Sequence, residues 1–158
     1  MALYTREFTE EDAMAVCNWK YQPPYDIYNC PDWETVQKEN WGMANKETRA
    51  DQYYSVCDGE ELIGYFRLKK QDNCIMLGLG LRTDLCGSGY GTAMMMLVNK
   101  TAAERYKGMP LRLEVRKFNK RAMKCYQTAG FIIIDEYDRP TPTGTGDFYL
   151  MQYRGVTE

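Results

Sequence analysis

The residues best suited to chemistry form a dense glycine run, Cys86-Gly87-Ser88-Gly89-Tyr90-Gly91-Thr92. An apolar segment, Cys74 to Leu81, precedes it and is short enough for a strand. Another, Ala93 to Val98, follows it, and Gly108 and Pro110 close that stretch as a helix. Strand, glycine loop and helix start together make an anion site. The first N–H groups of a helix have no intrahelical partner, and the helix dipole adds partial positive charge there. Glycines let the backbone take positive φ and approach a phosphate closely. No Lys or Arg lies between Thr83 and Asn99, so a phosphate bound here is held by main-chain N–H groups.

Spacing separates the known glycine loops. A P-loop needs Lys directly after its last glycine, and this run has none. A dinucleotide fingerprint needs Gly-x-Gly-x-x-Gly; Gly87 and Gly89 fit, but Thr92 stands at the third position. A nucleotide-binding protein is therefore disfavoured. On the loop alone, a helix entry without any ligand is an equal reading.

A second stretch changes that balance: Asn119-Lys120-Arg121-Ala122-Met123-Lys124-Cys125-Tyr126-Gln127-Thr128-Ala129-Gly130-Phe131. The two stretches together resemble the GCN5-related N-acetyltransferases (GNAT). The family loop reads Arg/Gln-x-x-Gly-x-Gly/Ala, and Cys86 replaces its Arg or Gln. The second family pattern, Asn-x-x-Ala-x-x-x-Tyr-x-x-x-Gly-Phe, is matched at Asn119, Ala122, Tyr126, Gly130 and Phe131. Leu79 to Leu85 is similar to the family's central strand and turn, with Thr83 where proline is common.

The resemblance implies an α/β (α+β) GNAT fold over residues 1–158 as a single acetyltransferase domain. Its sheet is central, mixed, mostly antiparallel and twisted, with about seven strands and about four helices, splayed at the acetyl-CoA site. It implies acetyl-CoA as acetyl donor and a primary amine as acceptor, on a small molecule or a protein, reacting directly in a ternary complex. N–H groups of Cys86, Gly87, Ser88, Gly89, Tyr90, Gly91 and Thr92 would hold the pyrophosphate. Main-chain groups at Leu79 and Leu81 would bind the pantetheine arm, and one N–H there would polarise the thioester carbonyl. Asn119 would contact the same arm. Tyr126 would protonate the departing thiolate, since phenol and thiol titrate near 10 and about 8.5. Glu114, which interrupts an apolar alternation, is a candidate base through water; a surface carboxylate paired with Arg112 or Arg116 is the competing reading. Asp26 and Asp147 are candidates for attracting a cationic amine. A catalytically silent protein of the same fold, binding acyl-CoA as a regulator, is the alternative function.

Composition sets further bounds. A chain of 158 residues suits one domain with a full core. The formal net charge of -2 and a pI of about 5.3 argue against nucleic acid as a partner. There is no histidine, which removes Ser/His and Cys/His catalysis and His-ligated metals. The six cysteines form no Cys-x-x-Cys, so free thiols are expected and a metal site is not. No apolar run suits a bilayer and no secretory signal opens the chain, so no membrane and a cytoplasmic location are expected. A homodimer is a family-level expectation.

The elements that would position these residues follow the chain. Leu3 to Phe8 alternates as a strand, and Thr9 caps a helix that stops before Gln22-Pro23-Pro24. The loop from Tyr21 to Pro31 carries Tyr25, Asp26 and Tyr28, aromatic and acidic enough to line a substrate pocket. Asp32 caps a helix expected over Trp33 to Met43, and Asn45 to Asp51 reads as a charged connection. Gln52 to Cys57 and Leu62 to Leu68 form a hairpin about Asp58-Gly59 and run on as a meander into the central strand. Leu111 to Arg116 alternates as a strand, Asn119 caps a helix ended by Gly130, Phe131 to Ile134 is a strand, Thr141 to Gly146 a turn, and Asp147 to Tyr153 the last strand.

Overall fold

In this computed structural model, residues 2–155 are described. The strands are β1 (Leu3–Glu7), β2 (Tyr53–Asp58), β3 (Glu61–Lys70), β4 (Ile75–Leu81), β5 (Leu111–Arg116), β6 (Phe131–Thr141) and β7 (Gly144–Tyr153). The α-helices are α1 (Glu10–Cys17), α2 (Trp33–Lys38), α3 (Lys46–Gln52), α4 (Tyr90–Arg105) and α5 (Lys120–Thr128). The strands lie in the order β1-β2-β3-β4-β5-β7-β6 in a seven-stranded sheet. The β1–β2, β2–β3, β5–β7 and β6–β7 pairs are antiparallel, and β4 pairs with β5 in parallel, so the sheet is mixed. No described helix is long and apolar enough to cross a membrane.

The chain forms two compact units. The first is built on the chain up to Arg67 and on Leu79–Tyr90. Its core gathers Phe8, Ala13, Val16, Cys17, Val36, Met43 and Tyr53, with Trp19, Trp33, Trp41 and Tyr65 packed against them. Local signals set its helices. Thr9 accepts from the Asp12 N–H while the Asp12 side chain takes the Thr9 N–H, a closed capping box. Buried Asp12 also receives the Arg6 guanidinium fork at 2.5 and 3.0 Å and the Ser55 hydroxyl at 2.8 Å. Burial alone would raise its carboxyl; the hydrogen bonds from Arg6, Thr9 and Ser55 overcome that and hold it below the usual range.

The second unit is built on Leu68–Gly78 and the chain from Gly91 onward. Alternation in β5 buries Leu111, Leu113 and Val115, and α4 buries Met94, Met95 and Val98. Asn119 caps α5, its Oδ1 accepting from the Ala122 N–H at 3.1 Å.

Three expectations change. The helix from Trp33 stops at Lys38, and a short 3-10 turn, Gly42–Ala44, follows, because Asn40 takes positive φ between them. Asn45 to Asp51 is not a plain connection: Asn45 caps α3 at the Thr48 N–H, which brings the helices to five. β6 runs on from Ile134 to Thr141, and the turn shrinks to Pro142-Thr143. Its polar half, Asp135 to Arg139, is held by register against Leu150 to Gly146 of β7 rather than by apolar content. All six cysteines are free; Cys17, Cys57 and Cys74 are buried, and Cys30, Cys86 and Cys125 are half-buried.

Candidate active site

In the first unit the site is built on the end of β4 and the loop after it. Along a strand, each residue points its N–H and C=O to one edge, and successive residues alternate edges. The Ile75 N–H bonds Pro110 O at 2.8 Å, on the β5 side, and the Arg82 N–H bonds Ile63 O of β3 at 2.8 Å. Leu79 and Leu81 share parity with Ile75, so their N–H and C=O groups face away from β3. That side of β4 carries the main-chain groups of both residues singled out in the sequence. The Tyr21 hydroxyl reaches across from the aromatic loop to bond Leu81 O at 2.7 Å. No sequence signal pointed to that contact.

A short turn leads from the strand into the loop. Arg82 forks Asp84 at 2.7 and 3.2 Å, which holds the Asp84 carboxyl below the usual range and raises the guanidinium. The cation that precedes the loop in sequence is thus occupied by its own neighbour. A 3-10 turn, Thr83–Leu85, ends at Cys86, whose Sγ lies 3.9 Å from Arg82 O. Gly87 and Gly89 then take φ of 82° and 87°, and α4 starts at Tyr90. A Cβ added at either glycine would meet nothing within 4 Å, so the backbone there borders open space. The Tyr90 hydroxyl bonds Asp58 Oδ2 at 3.0 Å and anchors the helix start; that bond raises its phenol. Open backbone, two left-handed glycines and fresh helix N–H groups fit a pyrophosphate.

Tyr25 and Tyr28 bound a 3-10 turn that contains exposed Asp26. Tyr28 is 39% exposed, and Tyr25 is half-buried.

In the second unit, α4 continues from Gly91 and Thr92. A Cβ on Gly91 would lie 3.3 Å from Cys125 Sγ of α5. Burial pushes the Cys125 thiol up, and a hydrogen bond with Thr92 opposes this. Asn119 is buried at the α5 cap. Tyr126 is half-buried on α5, its ring tilted against Phe131 at 6.4 Å.

Glu114 is engaged on both oxygens. Tyr137 Oη and Arg139 Nε donate to Oε2 at 2.6 and 3.0 Å, and a terminal Arg139 nitrogen donates to Oε1 at 3.0 Å. Burial pushes the Tyr137 phenol up first, and the bond to Glu114 adds to it. The expected partners were the flanking arginines; instead Arg112 bonds Gln152 at 2.8 Å, and Arg116 bonds Thr141 and lies over Phe148. Strand alternation puts Arg112, Glu114 and Arg116 on one face, so the actual partner shows only in the fold: Arg139 comes from β6, 25 residues on. Exposed Asp147 lies opposite Asp138 in register and 3.3 Å from Lys117 Nζ, which also meets Glu136 at 3.5 Å. The hydrogen bond with Asp147 raises the Asp138 carboxyl.

Comparison with known proteins gives the family and the fold. The profile of the acetyltransferase (GNAT) family matches residues 13–131, and the chain belongs to that family. Among solved structures, it resembles a chimera of spermidine N-acetyltransferase SpeG from Vibrio cholerae and hSSAT, with a TM-score of 0.79 at 15% identity over 97% of this chain and 95% of that one. It also resembles AAC(6')-Ib, solved with an aminoglycoside and acetyl-CoA, with a TM-score of 0.72 at 18% identity over 95% and 93%. The ribosomal-protein-S18-alanine N-acetyltransferase from Escherichia coli gives 0.67 at 17% identity over 99% and 96%. No curated protein matches the chain in sequence. These likenesses show the fold. The family is one of N-acetyltransferases, and acetyl-CoA is its acetyl donor.

Proposed function

We propose that the protein transfers the acetyl group of acetyl-CoA to a primary amine by direct attack in a ternary complex, as a single acetyltransferase domain. The observation that carries this reading is the run from Leu79 to Thr92, a strand end whose Leu79 and Leu81 main-chain groups turn away from β3 and which passes into an open glycine loop at a helix start. Acetyl-CoA would supply a thioester whose sulfur departs as a thiolate. The loop N–H groups from Cys86 to Thr92 bind the pyrophosphate, and those of Leu79 and Leu81 orient the arm and face the carbonyl oxygen. Asn119 contacts the arm beside its cap. Tyr126 Oη gives up a proton to the sulfur and regains it from water.

Glu114 remains the candidate base, acting through water, with Tyr137 and Arg139 holding its carboxylate in one orientation. Tyr25, Asp26, Tyr28 and Asp147 form the candidate acceptor contacts; of these Asp147 is already paired with Lys117. The structural relatives named above act on spermidine, on aminoglycosides and on a protein alanine, so small-molecule and protein amines are both tested as acceptors.

The test has two stages. Acetyl-CoA at ~100 times its dissociation constant should add about 2.7 kcal/mol to the folded state, read as a thermal shift. A flat titration of folded protein would sink the reading. Release of CoA with spermidine, kanamycin and an N-terminal alanyl peptide then separates an enzyme from a silent acyl-CoA-binding protein.

A further inference from the structure

We propose that Tyr21 is a positioning residue that ties the acceptor-side loop to the donor-side edge of β4; this inference rests on the acetyl-transfer reading above. The loop is closed upon itself. The Tyr21 N–H bonds Asn29 Oδ1 at 2.6 Å, and Lys20 Nζ bonds Cys30 O at 2.8 Å across its base. Inside it, the Tyr25 N–H bonds Gln22 O at 2.9 Å and the Asn29 N–H bonds Asp26 O at 3.1 Å. Tyr25, Asp26 and Tyr28 therefore move as one body. The Tyr21 hydroxyl pins that body to Leu81 O at 2.7 Å, across 60 positions of chain.

The place of the pin matters. Leu81 O faces away from β3, on the edge where Leu79 and Leu81 offer their N–H groups, and β4 ends at this residue. Tyr21 thus occupies the last carbonyl of the edge. A molecule lying along the strand ends its pairing there, directly beside the loop that carries the acceptor contacts. Donor pairing steadies Leu81, Leu81 steadies Tyr21, and Tyr21 steadies the loop. Such coupling is reciprocal, so an ordered loop also favours the strand edge in its donor-binding form.

The edge is braced from a second side. A Cβ on Gly80 would lie 2.5 Å from a ring carbon of Tyr65, which packs into the cluster of Phe8, Trp19 and Tyr53. With Gly80 seated on that ring, the hydroxyl of Tyr21 gives a direct contact between the edge and the loop.

The test is hydrogen–deuterium exchange over residues 21–31 in the wild type and in Tyr21→Phe, each with and without acetyl-CoA, alongside calorimetric acetyl-CoA affinity. Losing one hydrogen bond should speed loop exchange roughly two- to tenfold. Acetyl-CoA should slow loop exchange in the wild type and not in Tyr21→Phe, while donor affinity stays within about threefold. Asn29→Ala opens the loop from within and leaves the pin intact; it should raise exchange yet keep the response to acetyl-CoA. Equal exchange in wild type and Tyr21→Phe overturns the proposal. So does a wild-type loop that ignores bound acetyl-CoA, or an Asn29→Ala loop that loses the response. A wild type that binds no acetyl-CoA defeats the acetyl-transfer reading instead, and the comparison without ligand still decides whether Tyr21 pins the loop.

Discussion

Two glycine regions of the first unit do opposite jobs. Gly87 and Gly89 have positive φ and open space where a side chain would project. Gly80 has no special φ, but its missing side chain is replaced by the ring of Tyr65. The loop glycines are required by conformation and leave room for something outside the chain. The strand glycine is required by packing and leaves room for something inside it. Glycine content alone does not mark a ligand site; the surroundings of the absent Cβ do. A similar division runs through the proposed chemistry, in which main-chain groups hold the donor and side chains of α5 and β5 move protons.

The largest effect should come from the proton-moving half. Tyr126→Phe keeps the ring against Phe131 and removes only the hydroxyl. Turnover is expected to fall by about 10²–10⁴-fold, with acetyl-CoA affinity nearly unchanged. Near-normal turnover in steady-state assays of CoA release removes Tyr126 from the mechanism and leaves the main chain as the site's working part.

The glycine comparison is broken or sharpened by two further variants. Gly80→Ala should cost about 1–3 kcal/mol of stability in denaturant unfolding, because the added carbon overpacks Tyr65. Gly89→Val meets no neighbour, so its stability cost should be the conformational one, about 1–2 kcal/mol. Its acetyl-CoA affinity should fall more than tenfold, about 1.4 kcal/mol or more, since a branched side chain fills the open approach. Unchanged affinity in the folded fraction would make the loop a plain helix entry.

Asp12→Asn probes the opposite situation, a side chain with every neighbour committed. Loss of charge-assisted bonds to Arg6 should destabilise by about 1.5–3 kcal/mol. The sign in pH follows from the lowered carboxyl. Its contribution is present above the unfolded value near 4 and fades as pH falls through the lower folded value. Thermal melts of the wild type should therefore steepen in decline below about pH 4, and those of Asp12→Asn should lack that part of the slope.

The smallest effect is a gain. Cys86→Arg adds a guanidinium to a loop that has no Lys or Arg of its own and whose preceding cation in sequence, Arg82, is held by Asp84. Acetyl-CoA should bind about three- to tenfold tighter, with a salt dependence that the wild type lacks. No change would mean that the main chain already satisfies the phosphates.

The geometry of the candidate site was legible where its signals were local. Asn119, Ala122, Tyr126, Gly130 and Phe131 lie on one capped helix and the strand that follows it, and Gly87 and Gly89 announce a backbone that only glycine adopts easily. The outward edge at Leu79 and Leu81 needed only strand parity. What stayed hidden was set by distant partners. Nothing near Glu114 names Arg139 or Tyr137, and nothing near Leu81 names Tyr21. β6 looks short in sequence because its second half is polar; cross-strand pairing with β7 maintains it. The residues of α3 are charged and hide its helix, although Asn45 is a sound cap.

Trp19, Trp33 and Trp41 are the three tryptophans of the chain, and all pack against the Phe8 and Tyr53 core of the first unit. The second unit has tyrosine and phenylalanine only. Tryptophan emission is therefore a private signal of one unit, while circular dichroism averages both. Melts followed by the two methods will coincide when the chain unfolds in one step, and any separation between them assigns the earlier event to a named half of the molecule.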